Sequence, residues 1–281
     1  MKQPVREQPE YFEQTAAPPL VDIFQSIGFT VPDEGSYSML AEHTESIGEH
    51  SCAHRGDTAV HGWCWKLGEG LEVWSVLYEH EDEMYHADCR PAFRGRYVYH
   101  VQPWELVEFD EDGEALVRGR VNDKIDLIFE LQNLTELPPS MFQHSYLHVS
   151  LAGLAYSAQI HPSTKQVAPR FELAETLPEF EQDACESDYV IRGRVIAWRD
   201  IDNPVTESRL VWLYIEAGEM NLEILVSRNS LRGRPRTGAI ITANVWLQGH
   251  VLEAEDLFAR YEGVDWDFPA ADFWMKLRRD N

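Results

Sequence analysis

The chain has 281 residues, 44% hydrophobic and 11% aromatic, the make-up of a folded globular protein rather than a disordered tail. Its formal net charge of −24 opposes binding to duplex DNA and to anionic membrane surfaces, which both need Lys and Arg to neutralise phosphate. No apolar run approaches the roughly 18 residues of a spanning helix, the N-terminus lacks a signal-peptide core, and four scattered cysteines make no disulfide framework, so a cytoplasmic location is expected.

Residues 1–18 are polar and rich in Pro, Gln and Glu. Leu20, Ile23, Phe24 and Ile27 then fall at helical spacing with Gly28 as a stop, predicting a short helix over 20–28. From residue 58 the period becomes two. TAVHGWCWK and LEVWSVLYE flank Gly68 and Gly70 and read as a hairpin. Further strands are expected over 94–101, 114–121, 125–131 and 144–160, with the acidic run Glu79–Glu83 as a solvated loop.

Residues 161–187 are Pro- and Glu-rich and interrupt this pattern. The expected organisation is an acidic β-rich domain over 1–165, a connector over 166–187, and a second domain over 188–281. Strands resume over 188–201, 209–218, 221–228 and 238–252, and helices are expected near 253–261 and 269–277. The fold class is mainly β (β-rich α+β), two domains of antiparallel strands. Eight acidic and eight basic residues fall between Cys185 and Leu252, so the whole acidic excess lies elsewhere.

The second block begins with a strand carrying Gly193 at its middle, passes a long loop, forms two paired strands, and ends through an arginine-rich loop in Trp246, Leu247, Gln248 and Gly249. This order over 188–252 resembles the OB-fold, the small five-stranded barrel that holds oligonucleotides or oligosaccharides. The resemblance implies a first strand bent at Gly193 to serve both sheets. A fifth strand is missing, so the barrel is expected to be incomplete or to borrow one. In the first block, Leu116–Val121 (LVRGRV) echoes Val190–Val195 (VIRGRV), and Leu151–Gly153 echoes Leu247–Gly249, which raises the possibility of tandem barrels.

Two constellations invite chemistry. His61 with Cys64 and His86 with Cys89 look like halves of a zinc site, yet residues three apart on a strand face opposite ways. That leaves His50, Cys52, His54, His86 and Cys89 as candidate metal ligands, with zinc as the only cofactor considered and none as the leading expectation. The second constellation is Arg228, Arg232, Arg234 and Arg236, a cationic loop whose guanidinium forks suit phosphate or carboxylate. Trp198, Trp212 and Tyr214 on neighbouring strands are the candidate stacking partners. The competing explanation has the loop answering acidic residues of the same chain and the aromatic rings in the core.

No phosphate-cradling glycine loop, nucleophile elbow or HExxH motif is present. The expectation is therefore a non-enzymatic binding or adaptor protein. A protein partner, basic if it meets the acidic surface, ranks ahead of single-stranded nucleic acid. The alternative is a metal-dependent enzyme or zinc-stabilised domain built on residues 50–89.

Overall fold

The computed structural model describes residues 23–55, 58–81, 83–109, 113–161, 168–177 and 185–253. The class is mainly β. The expected helix at 20–28 is a 3-10 turn over Ile23–Ile27, with Phe24 and Ile27 buried and Gly28 at φ +91° closing it. An unforeseen helix follows, α1 (Glu34–Ile47), started by Asp33, whose side chain accepts from the Ser36 amide at 2.8 Å. Its inward stripe, Tyr37, Leu40, Ala41 and Thr44, is short and only weakly apolar, and Met39 and Ile47 face outward and blur it, which is why it escaped the sequence pattern. The helices expected within 254–281 lie outside the described residues.

Four antiparallel strands form a meander: β1 (Glu49–Arg55), β2 (Thr58–Gly68), β3 (Leu71–His80) and β4 (Glu83–Phe93). Most of the acidic run expected to be a loop is strand: Glu79 and His80 end β3, Glu83 opens β4, and Glu81 turns between them at φ +53°. Ten further strands make one mixed sheet. They are β5 (Val98–Phe109), β6 (Glu114–Val121), β7 (Ile125–Leu131), β8 (Leu147–His161), β9 (Arg170–Leu173), β10 (Asp188–Asp202), β11 (Arg209–Ala217), β12 (Met220–Ser227), β13 (Leu231–Arg232) and β14 (Ile240–Leu252).

The pairings close two rings. β5, β6, β7, β14 and β8 pair in succession and β8 returns to β5. β10, β11, β12, β8 and β14 do the same, and β14 returns to β10. The strand missing from 188–252 is thus β8, taken from before the expected connector, while β14 completes the first ring. In both rings the third strand runs parallel to the borrowed one: β7 beside β14, β12 beside β8. The hydrogen bonding therefore runs across the expected boundary at 166–187, and one apolar cluster, including Val117, Phe129, Leu151, Ile191, Ile224 and Leu247, fills both rings.

The echo between the halves is partly real. Leu151 pairs with Gly249 and Gly153 with Leu247, so the two Leu-x-Gly stretches face each other in opposite directions. The other echo equates different positions: LVRGRV lies on the second strand of its ring, and VIRGRV on the first strand of the other. A better correspondence joins Tyr99 with Tyr189. The Tyr99 hydroxyl donates to the Asn221 carbonyl on β12, and the Tyr189 hydroxyl accepts from the Ile128 amide on β7 at 2.8 Å, each reaching into the opposite ring.

Gly193 sits where β10 changes partner, from β14 over 188–194 to β11 over 194–202. A Cβ there would lie 2.5 Å from the Glu216 carbonyl oxygen, so the strands approach this closely only with glycine. The four-stranded sheet packs outside the shared strands, joining Leu71, Val73 and Phe93 to Leu154, Trp246 and Leu225. The passage from β4 to β5 is pinned by a buried polar row across the sheet, in which Glu130 pairs with Gln248, Gln248 with Ala152 and Ala152 with Glu223. Gln248 donates to the Pro91 carbonyl at 2.9 Å and accepts from the Phe93 amide at 3.2 Å. Glu223 accepts from the amides of Arg96 and Tyr97.

Candidate functional site at the mouth of the second ring

A loop of four arginines in an acidic chain must either be neutralised internally or stay available. Its geometry is fixed at both ends. Leu231 and Arg232 pair with Ala158 and Gln159 of β8, and Gly233, at φ +86°, packs against Ile160. At the far end the Gly238 amide donates to Val195 and the Val195 amide to Ala239. The loop is therefore held against the ring at both ends.

It forms one wall of an open groove of about 780 Å³. Arg228, Arg234 and Arg236 line it with Trp198, as the sequence suggested, and Arg209, Asp200 and His161 join them. Arg209 opens β11 beside the end of β12, where the Arg228 amide donates to the Arg209 carbonyl at 3.0 Å. None of these three added residues carried a sequence signal, because each lies far along the chain from the loop. Arg232 sits in β13 and does not line the groove.

Among the described residues, Arg209, Arg228, Arg234 and Arg236 form no ion pair, whereas Arg90, Arg94, Arg96, Arg118, Arg120 and Arg199 each do. Arg209, Arg234 and Arg236 are exposed. Arg228, Arg234 and Arg236 therefore do not answer the acidic N-terminal half through an ion pair among the described residues. Burial and Arg192 both hold the His161 imidazole below its ordinary range, so at neutral pH it contributes a ring nitrogen and no charge.

The two other expected stacking residues are in the core. Trp212 and Tyr214 are 3% and 4% exposed and sit on the outer face of β11, beneath the four-stranded sheet and the β4–β5 passage. Tyr97 stacks on Tyr214 at 4.1 Å between ring centroids, the Trp212 indole donates to Glu223 at 2.8 Å, and Arg96 and Arg199 lie over the Trp212 ring. Alternation along β11 put both rings on one face; the element covering that face came from elsewhere in the chain.

The His/Cys region separates as strand geometry demands. Cys64 is buried with Trp74 and Ala92 on one face of β2, while His61 on the other meets His50 at 3.0 Å and Glu79 at 3.2 Å. Cys52 is 3.9 Å from the His61 ring and His54 is exposed. His86 packs on Tyr37, and Cys89 is buried. The five candidate ligands are not brought together, and no three His, Cys, Asp or Glu side chains among the described residues make a metal site.

Comparison with known proteins adds one relationship. A family described as "Domain of unknown function, E. rectale Gene description (DUF3881)" matches residues 180–249, about a quarter of the chain, which takes in β10 to β13, the arginine loop and most of β14. No curated protein and no solved structure matches.

Proposed function

We propose that this chain is a non-enzymatic binding protein built on an OB-like double barrel, with the arginine groove as its recognition site for an anionic partner. The observation that carries the reading is the set of four arginines without ion pairs around Trp198, in a chain whose other described arginines are mostly paired. The order of strands in the second ring, with β8 as the borrowed strand parallel to β12, supports the OB-like description. A cytoplasmic setting belongs to the same proposal, supported by four free cysteines. No described helix is long and apolar enough to cross a membrane.

Among macromolecular partners, an acidic segment of a protein fits better than a long single strand. The aromatic face that would stack successive bases is occupied by Tyr97 and Arg96 of the chain itself. Beyond the groove, the net charge of −24 repels a polyanion. Fluorescence anisotropy at low salt with labelled acidic peptide, basic peptide and oligothymidylate tests this. Saturable binding of the acidic peptide, lost in Arg228→Ala/Arg234→Ala/Arg236→Ala, is the expected result. Tighter binding of the oligonucleotide would favour the single-strand reading, and binding of the basic peptide alone would move the site to the acidic surface.

A further inference from the structure

The groove has the dimensions and chemistry of a small-molecule site as well as those of a docking point, and we propose that it takes a nucleoside di- or triphosphate. This inference rests on the reading of the groove as an anion site. Three observations carry it. The volume, about 780 Å³, lies in the range of ligand pockets. Four guanidiniums against the single carboxylate of Asp200 leave a concentrated positive charge, which matches clustered phosphates better than carboxylates spaced along a peptide. Trp198 is half-buried, resting on the ring interior while lining the groove, and so offers a ring wall that a peptide carboxylate has no use for.

In this arrangement the arginines hold the phosphates, Trp198 packs against the base, and Asp200 accepts a hydrogen bond from a ribose hydroxyl or a base amine. No bond is made or broken. Because the same arginines would receive a partner's acidic segment, nucleotide and partner compete, and docking becomes dependent on nucleotide concentration.

The experiment titrates the full chain by calorimetry with ATP, adenosine, pyrophosphate and an acidic peptide. ATP is expected to bind tightest and to displace the peptide. Arg234→Ala/Arg236→Ala, two exposed positions, weakens ATP and pyrophosphate alike, by roughly tenfold or more. Trp198→Leu weakens ATP about tenfold and leaves pyrophosphate unchanged, while Trp198→Phe keeps most of the ATP affinity. Denaturation curves of the variants separate lost binding from lost fold. Equal binding of ATP and pyrophosphate in the wild type, or equal losses for both in Trp198→Leu, overturns the nucleotide assignment. Peptide binding without ATP binding overturns it too, and leaves the groove as an anion site. Failure of all four probes removes both readings.

Discussion

Glu130 and Glu223 stand at equivalent points of the two rings, Glu130 opposite Gln248 on β14 and Glu223 opposite Ala152 on β8, yet they are satisfied differently. Glu223 receives the Arg96 and Tyr97 amides and the Trp212 indole. Glu130 has a hydrogen bond with Trp246 and Arg90 at 3.7 Å, with one carboxylate oxygen lacking a hydrogen bond. Burial raises both carboxyls, and the three donors on Glu223 work against it. One glutamate fastens the β4–β5 passage, while the other is held in a dry place with a partner at arm's length.

Replacing Glu223 by Ala strands three buried donors at once. The expected loss is about 3 to 5 kcal/mol of folding stability, with Glu223→Gln losing less because an amide oxygen still accepts. Urea denaturation measures it. A loss below about 1 kcal/mol would mean that water replaces the carboxylate.

Glu130 should make stability depend on pH in the opposite sense to an exposed salt bridge. Burial pushes its carboxyl up to about 8, with Arg90 pulling the other way. Such a group keeps its proton when folded and sheds it near the ordinary carboxylate range when unfolded, so folding weakens as pH rises between those two points. Asp188, pushed up to about 6 by burial, adds the same sign over a narrower window. Denaturation midpoints taken from about pH 5 to pH 8 should fall more in the wild type than in Glu130→Gln. Parallel profiles would contradict this.

Gly249 has no room for a side chain. A Cβ there would meet the Phe129 ring at 2.2 Å and Val149 at 3.0 Å. Gly249→Ala is expected to cost about 3 kcal/mol, and adding Phe129→Leu should restore part of it by vacating the collision. An additive double variant would show that the strain lies in the backbone of β14 instead.

Thiol reactivity should divide the cysteines in two. Cys52 and Cys185 are exposed; Cys64 and Cys89 are buried, and burial pushes the Cys89 thiol up to about 12 and raises Cys64 as well. An aromatic disulfide reagent should titrate the exposed pair in the native protein and reach the buried pair only on unfolding. Reaction of all four at one rate would place β2 and β4 outside the folded core.

Period-two alternation made β2, β3, β6, β7, β10, β11, β12 and β14 legible, because each buries one face or both. β1 stayed hidden: its sequence, EHSCAHR, is polar on an edge strand. β4 was obscured by Pro91 and a polar first half. Alternation says which residues share a face, and so it separated His61 from Cys64. It does not say what lies on that face, and so it left Trp212 and Tyr214 open to both a binding and a core role, a choice that the covering β4–β5 passage decides. The arginine loop was visible as a run of charge, whereas Arg209, Asp200 and His161 are joined to it only by folding.

The sharing of β8 and β14 sets an order on biosynthesis. The first ring cannot close when its own segment leaves the ribosome, because its last staves, residues 240–252, are made more than a hundred residues after β7. Until then β7 has an open edge and the apolar lining around Phe129 has no lid. Neither ring can seal until β14 has been made, and up to that point a growing chain leaves this apolar lining open to unwanted contacts.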